Sequence, residues 1–240
     1  MPKSYKICPV SRFDVERFSD NPYKLKQQLV IADVPPPPET LIRKSSDGLR
    51  LEDFSSFIVE HERVVRQWGR INDTRFSEFI RKGEISAYFS QARELLLLCG
   101  KKDDILDFCR VAASSHEVSF STISIDMKAL LAKLQDVRLV WFKYDDTVIH
   151  ASALAGQHIE TTRPFKEARE QGDISTLSFY LEDSVGIAHP ILVTSDGAIV
   201  LQANYAEKAA EIELVLRVKQ ALLDGIYSVV QNRRKTNAAR

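Results

Sequence analysis

Apolar residues in the segment 51–68 recur at intervals of three and four positions, and so lie on one face of a helix. Gly69 follows at the point where such a helix would end. The next segment, TRFSEFIRK, has the same character and stops at Gly83, a residue suited to the left-handed position after a helix. The pattern therefore predicts two helices in this part of the chain.

Beyond residue 83 the pattern alternates between strands and short helices. Strands are predicted where leucine, β-branched and aromatic residues form short runs, in EISAYFS, ELLLLC, VSFSTISI, VRLVWFKY and ISTLSFYL. Helices are predicted from Asp103, in DMKALLAKL, in RPFKEAREQ and over residues 206–230. The pair Asp196-Gly197 between two apolar runs is typical of a β-hairpin turn.

These elements predict an α+β fold, in which one mixed and mainly antiparallel sheet, or two related ones, has helices on one side. Residues 35–38 are four consecutive prolines, which favour a stiff extended connector. The predicted organisation is an N-terminal helical appendage (1–34), a proline-rich connector (35–40), two α+β units (41–135 and 136–230) and a basic frayed tail (231–240).

Two segments of the chain resemble each other and suggest an internal duplication. FSEFIRKGEIS, from Phe76, and FKEAREQGDIS, from Phe165, align without a gap. Each is interpreted as a helix that ends at a glycine and leads directly into a strand. A pseudo-twofold pair of such units would form a groove or a continuous sheet, which favours binding over catalysis. The alternative is a chance resemblance between two glycine-capped helices.

The composition is that of an ordinary globular protein, with 44% hydrophobic and 28% charged residues. The 33 basic and 33 acidic residues leave no net charge, which argues against nonspecific nucleic-acid binding by the whole chain. The three cysteines form no CxxC pair, and they suit free thiols in a reducing compartment. With neither a signal peptide nor an apolar run of membrane-spanning length, we expect a cytoplasmic protein that does not enter a membrane.

No motif for nucleotide binding or hydrolytic catalysis occurs in the sequence. GxGxxG, GxxxxGK[ST], GxSxG and HExxH are all absent, and we expect no cofactor. The best trace of an active site is Asp126 with Lys128, because metal-dependent nucleases place an acid and a lysine two positions apart. Asp107 or Asp104 could supply the further acid. The preferred interpretation is that Asp126 caps the helix that follows it.

A second group of polar residues provides weak metal candidates, namely Asp145, His150 and His158. Imidazole and carboxylate groups donate lone pairs to metal ions, but this spacing matches no standard ligand pattern. Loop positions exposed to solvent are the preferred interpretation. His61 lies on the apolar face of its predicted helix and is interpreted as a core histidine.

One predicted strand interleaves aromatic and basic residues, as proteins that bind single-stranded nucleic acid do. The candidate nucleic-acid-binding residues are Arg138, Trp141 and Lys143, together with Arg233, Arg234 and Lys235 in the tail. Packing in the core is the preferred interpretation of the aromatic residues, because a buried strand also needs them.

The lack of a catalytic motif, the balanced charge, the repeated segment and the proline connector together favour a non-enzymatic interaction or regulatory protein. Such a protein would act as a subunit of an intracellular complex with other proteins, and none of its residues would be catalytic. The alternatives are a metal-dependent phosphodiesterase or nuclease built on Asp126, and a nucleic-acid-binding protein.

Overall fold

A computed structural model shows that the chain groups its contacts into two compact units. The structure describes residues 2–18, 21–25, 38–46, 49, 51, 53–113, 115–145, 148, 150–183, 185–203 and 205–230. The N-terminal unit contains Cys8–Ser121, and the C-terminal unit contains Thr122–Val230 together with the first seven residues. The division therefore falls between Ser121 and Thr122, whereas the sequence-based boundary was placed at 135/136. Prolines 35–37 of the predicted connector lie outside the described residues.

The N-terminal unit is built on an antiparallel sheet. Strand β1 (Lys3–Phe13) enters this unit at Cys8. The other strands are β2 (Tyr23–Lys24), β3 (Thr40–Lys44), β4 (Ser55–Ile71), β5 (Thr74–Ser90), β6 (Leu95–Cys99) and β7 (Val118–Phe120). They adjoin in the order β1-β6-β5-β4-β3-β2, and β7 pairs with Val10 to Phe13 of β1.

The two helices predicted from the apolar spacing of residues 51–82 are instead the strands β4 and β5. Phe57, Val59 and His61 are buried and alternate with partly exposed neighbours, which is the period of a strand. The same apolar positions also satisfy a helical spacing, and the neighbouring strands β3 and β5 decide between the two by supplying the backbone hydrogen bonds. The helix prediction was wrong because local periodicity is ambiguous here.

The core of the N-terminal unit is rich in aromatic residues. The ring of Phe13 stacks on that of Phe89 at 4.7 Å between centroids and meets the ring of Phe57 edge-on at 5.2 Å. Helix α1 (Lys102–Ala112) packs on β4, β5 and β7, with Phe108 fully buried beneath it. This helix was predicted from Asp103 and is confirmed.

The C-terminal unit is also built on an antiparallel sheet. Its strands are β9 (Val137–Lys143), β10 (Ala151–Ala155), β11 (Asp173–Glu182), β12 (Ala188–Thr194) and β13 (Ala198–Leu201). They adjoin in the order β10-β9-β11-β12-β13, and residues Lys3 to Lys6 of β1 pair with β13. A separate antiparallel pair joins β8 (Thr122–Ile125) to β14 (Tyr227–Val230).

The predicted hairpin between β12 and β13 is confirmed. Gly197 has a φ of 82°, in the left-handed region, and its N–H donates to the carbonyl of Thr194 at 2.9 Å. A Cβ atom at this position would lie 2.3 Å from the side chain of Ile123. Glycine is therefore needed here both for the turn conformation and for the close approach.

Three helices belong to the C-terminal unit: α2 (Met127–Lys133), α3 (Arg163–Gln171) and α4 (Lys208–Val218). All three were predicted, but the last one is shorter than the predicted 206–230. One π-helical turn continues α4, and the remainder of that segment forms β14. None of the helices described by the structure is long and apolar enough to cross a membrane.

The predicted helical appendage at the N-terminus is corrected where the structure describes it. Residues Lys3–Phe13 form β1, and only Val15–Arg17 make a short 3₁₀ turn. The repeated segments also differ, because FSEFIRK lies in β5 whereas FKEAREQ lies in α3. The mixed, mainly antiparallel α+β fold is thus confirmed, whereas the duplication and the placement of the helices on one side are not.

Candidate functional site

Asp126, the acid of the nuclease hypothesis, caps helix α2. Its carboxylate accepts hydrogen bonds from the backbone N–H groups of Lys128 and Ala129, both at 3.0 Å. This confirms the preferred interpretation, because a capping carboxylate satisfies N–H groups that have no partner within the helix. The proposed further acid, Asp107, belongs to the N-terminal unit, on α1.

Asp107 and His61 take part in a buried hydrogen-bond chain. The Nε2 atom of His61 lies 3.1 Å from the carboxylate of Asp107, and its Nδ1 atom lies 2.9 Å from the hydroxyl of Thr40. Because a carboxylate only accepts, Nε2 donates to Asp107, and Nδ1 accepts from Thr40. The order of these three groups resembles that of a catalytic triad, but Thr40 and His61 are fully buried. This series of hydrogen bonds is therefore structural, and His61 is a core histidine, as predicted.

The weak metal candidates are exposed residues outside the strands, and Asp145 stands beside Tyr144, whose N–H donates to the carbonyl of His150 at 3.1 Å. His150 precedes β10 and His158 follows it, so the strand separates the two imidazoles. His158 lies 3.6 Å from Asp136 and 3.7 Å from Glu160. Within the part of the chain that the structure describes, no group of three or more His, Cys, Asp or Glu side chains could hold a metal ion.

The aromatic and basic residues of β9 divide between the two faces of the strand. Phe142 is fully buried, as predicted, but Trp141 is 45% exposed, so the core interpretation was wrong for this residue. Lys143 is also exposed. Arg138 pairs with Asp136 at 2.7 Å and lies over the ring of Tyr180 at 5.3 Å. The tail candidates Arg233, Arg234 and Lys235 lie outside the described residues.

A buried carboxylate joins β1 to α4 in the C-terminal unit. Glu211 accepts hydrogen bonds from Lys3, from Lys208 at 2.7 Å and from the hydroxyl of Tyr5 at 2.5 Å. Burial by itself raises the pKa of this carboxyl, but the three hydrogen bonds outweigh that effect and the pKa is lowered. The carboxylate is thus fully used in holding two elements together.

The outer half of the β4–β5 hairpin, residues 62–82, extends beyond the strands that flank it, and we call it the hairpin arm. Strand β3 pairs with β4 only up to His61, and β6 pairs with β5 only from Ser86 onward. The arm is therefore a two-stranded ribbon, whose cross-strand pairs continue from Glu62–Lys82 to the turn. Two-stranded hairpins are marginally stable alone in water.

Large apolar side chains cover this ribbon and remain exposed. Trp68 is 82% exposed, Ile71 is 66% exposed and Ile80 is 56% exposed. Val64 and Phe79 are also exposed, and Val64 pairs with Ile80 across the ribbon. Single exposed apolar residues are common on proteins, but five on one hairpin are unusual, because monomeric proteins rarely leave large apolar patches uncovered.

The arm contains a bulge before its tip. The register shifts between Arg66 and Gly69, so that β4 has one extra residue opposite β5. The ring of Phe76 lies across Gly69, where a Cβ atom would be 2.2 Å from it. Asn72 then adopts a φ of 51° in the turn. Asparagine tolerates this left-handed conformation better than most residues do.

The arm is also basic, with six basic and three acidic side chains among its residues. Two pairs of arginines face each other across the ribbon: Arg63 with Arg81, and Arg70 with Arg75. Like charges directly opposite each other in a sheet are destabilising. A negative group close to either pair would therefore stabilise the ribbon.

Sequence reasoning missed the arm because it assigned both strands to helices. One signal could have revealed it: the Asn72-Asp73 pair, a turn dipeptide, stands between two segments rich in Val, Ile and Phe. The exposure of those apolar residues had no sequence signal, because it depends on where β3 and β6 stop pairing.

No protein-family model matches this chain, and no curated protein matches its sequence.

Proposed function

We propose that this protein is a non-enzymatic interaction or regulatory subunit of a protein complex, and that the hairpin arm is its partner-binding element. The observation that carries the proposal is the set of exposed apolar residues, Trp68 and Ile80 among them, on a ribbon that pairs with no third strand in the part of the chain that the structure describes. Trp and Arg are the residue types that most often dominate binding energy at protein interfaces. The cytoplasmic location expected from the sequence stays a prediction.

A protein partner explains features of the arm that the isolated chain leaves unexplained. Burial of apolar side chains stabilises an interface by roughly 25 cal/mol per Å² of apolar area. A partner that covers both sides of the ribbon would also stabilise the strand pairing, which has little other support beyond His61. The arm would then be most ordered in the complex.

The test is a comparison of two double variants of the full chain. Trp68→Ser with Ile80→Ser removes two exposed apolar groups from the arm. The control, Val185→Ser with Ile187→Ser, removes two equally exposed apolar groups from the loop before β12. Sedimentation of the tagged chains in native extract shows whether each one travels in an assembly, and quantitative mass spectrometry gives the stoichiometry of what co-purifies.

We expect the control to keep its assembly and the arm variant to lose it, with partner affinity at least about tenfold lower. Nuclease treatment of the extract should leave the assembly intact. If both variants, or neither, lost the same partner, the arm would not be the binding element.

A second candidate function, nucleic-acid binding, is favoured by one observation: Trp141 and Lys143 are both exposed on β9. Stacking on Trp141 and contact of Lys143 with phosphate would give salt-dependent binding to single strands. A gel-shift titration with a single-stranded oligonucleotide should weaken on Lys143→Ala, and no shift at low salt would remove this candidate.

A further inference from the structure

The two opposed arginine pairs of the hairpin arm differ in how their charge is neutralised. Asp104 of α1, only 2% exposed, lies beside the inner pair, 2.7 Å from Arg63 and 3.6 Å from Arg81. Its carboxylate rests on the ribbon above Gly83, where a Cβ atom would be only 2.5 Å from a carboxylate oxygen. The inner pair thus shows how this ribbon holds a carboxylate between two guanidinium groups.

The outer pair has no buried carboxylate beside it among the described residues. Arg70 contacts Asp73 at 2.7 Å, but the side chain of Asp73 is almost completely exposed. Arg75, directly opposite Arg70, has no carboxylate partner among the residues that the structure describes. Arg66, on the adjoining part of β4, differs from Arg75 because it lies opposite Glu78 across the ribbon. Because like charges opposite each other cost stability, an added negative charge beside Arg75 would stabilise the tip of the arm.

Apolar side chains stand next to the outer arginine pair. Trp68 and Ile71 lie on either side of Arg70 along β4, and both are among the most exposed apolar residues of the unit. A ligand for the tip must therefore present carboxylates and apolar groups close together. Arginine favours planar carboxylates because its guanidinium can donate two parallel hydrogen bonds to them.

The arm exposes both arginines and apolar side chains, and this combination favours a protein ligand over a nucleic acid. A phosphate backbone would neutralise Arg70 and Arg75, but it would leave Ile71 and Ile80 in water. An acidic protein segment with apolar side chains satisfies both the arginines and the apolar groups, since it can place each type of side chain separately.

We propose that the tip of the hairpin arm binds an acidic segment of the partner protein, in which carboxylates contact Arg70 and Arg75 and neighbouring apolar side chains cover Trp68 and Ile71. This inference rests on the proposed function and specifies the chemistry of the partner. A carboxylate of the partner would then lie between Arg70 and Arg75, as the carboxylate of Asp104 lies between Arg63 and Arg81 within this protein.

Trp68 itself provides the measurement. The chain contains two tryptophans, Trp68 and Trp141, so Trp141→Phe leaves Trp68 as the only indole. Its fluorescence emission should shift to shorter wavelength when a ligand covers it.

Three 12-residue peptides serve as probes. The first alternates glutamate with valine and phenylalanine, the second has lysine in place of glutamate, and the third has serine in place of the apolar residues.

We expect the glutamate–apolar peptide to bind with a blue shift of Trp68, and the other two to bind at least about tenfold more weakly. Arg70→Ala with Arg75→Ala should lower affinity by roughly tenfold, and Arg70→Glu with Arg75→Glu should transfer the preference to the lysine peptide. The control, Arg163→Ala with Arg169→Ala, removes two exposed arginines of α3 and should change nothing.

Several outcomes would overturn the inference. They are the absence of binding by the glutamate–apolar peptide at millimolar concentration, equal binding of the lysine peptide, and unchanged affinity in the alanine double variant. Competition by a DNA oligonucleotide for the same Trp68 shift would identify nucleic acid as the ligand instead. If the charge-reversed chain still entered its native assembly while the Trp68/Ile80 variant did not, the partner-binding role would stand and only the acidic partner would be rejected.

Discussion

Asp104 is the residue on which the base of the hairpin arm depends. It is almost completely buried, and it lies between two arginines that would otherwise repel each other. Its neighbour Asp103 also contacts Arg63, at 3.4 Å, but Asp103 is 72% exposed. Removal of one member of a buried ion pair leaves the other charge uncompensated, whereas exposed pairs contribute little.

We therefore predict that Asp104→Asn lowers the free energy of unfolding of the N-terminal unit by about 3 kcal/mol. Asp103→Asn, the adjacent control, should lower it by less than about 0.5 kcal/mol. Urea unfolding of both variants measures the two values. Equal losses would mean that Asp104 does not neutralise the arginine pair in solution.

His61 is a titratable group that the core holds neutral. Burial lowers the pKa of its imidazole, and the hydrogen bond to Asp107 offsets only part of that effect. The unfolded chain then binds a proton at a higher pH than the folded protein does. The stabilisation is complete above the unfolded pKa of about 6.5 and is lost as the pH falls towards the lower, folded value.

Acidification from pH 7.5 to pH 5.5 should consequently lower the stability of the wild-type protein more than that of His61→Gln. Glutamine can still donate to Asp107 but does not titrate. Chemical unfolding at a series of pH values provides the comparison. Parallel pH profiles for the two proteins would show that His61 is not the group responsible.

At the scale of elements, β4 and β5 each consist of an inner segment, which lies in the sheet and the core, and an outer segment, which belongs to the hairpin arm. Near the core, Phe57 and Val59 are buried, and β3 and β6 pair with the ribbon from either side. In the arm, no third strand pairs with β4 or β5 among the described residues, α1 contributes Asp104 at the base, and most side chains are exposed. Local stability follows the number of buried apolar contacts, so it should fall along the hairpin.

Hydrogen exchange should show this gradient within single strands. We predict fast exchange for backbone amides of residues 64–78 and slow exchange for residues 56–60 and 85–89, at neutral pH and without a partner. Addition of the glutamate–apolar peptide should slow exchange in the first group only. Uniform protection along the whole hairpin would contradict the idea that the arm lacks support.

At the scale of the whole molecule, β1 contributes to both units. Lys3 to Lys6 pair with β13 in the C-terminal unit, and Val10 to Phe13 pair with β7 in the N-terminal unit. The strand provides core side chains to each, including Tyr5, Ile7 and Phe13. A segment that looked like an appendage in the sequence is thus a structural strand.

Deletion of residues 2–13 should therefore prevent cooperative unfolding of both units. The reason is that each unit loses a strand together with fully buried side chains. Circular dichroism during urea unfolding gives the measurement, with Arg12→Ala, which changes only an exposed side chain of β1, as the control. A deletion variant that kept one sharp transition would show that one unit does not need β1.

Elements set by local chemistry could be predicted from the sequence. Asp126 was expected to cap α2, Asp196-Gly197 to make the hairpin turn, and α1 and α3 to be helices, and the structure contains all of them. Short-range hydrogen bonds and backbone preferences decide these features, so a few adjacent residues are sufficient.

Features that depend on distant partners could not be predicted in this way. The spacing of apolar residues in β4 fits both a helix and a strand, and only pairing with β3 and β5 selects the strand. The ends of β3 and β6 leave Trp68 and Ile80 uncovered, and Asp104 reaches the arm from a separate helix. The sequence by itself determined turns, caps and the α+β composition, because these are local. The tertiary structure alone decided which apolar and charged groups face solvent, because exposure depends on contacts between residues far apart in the chain.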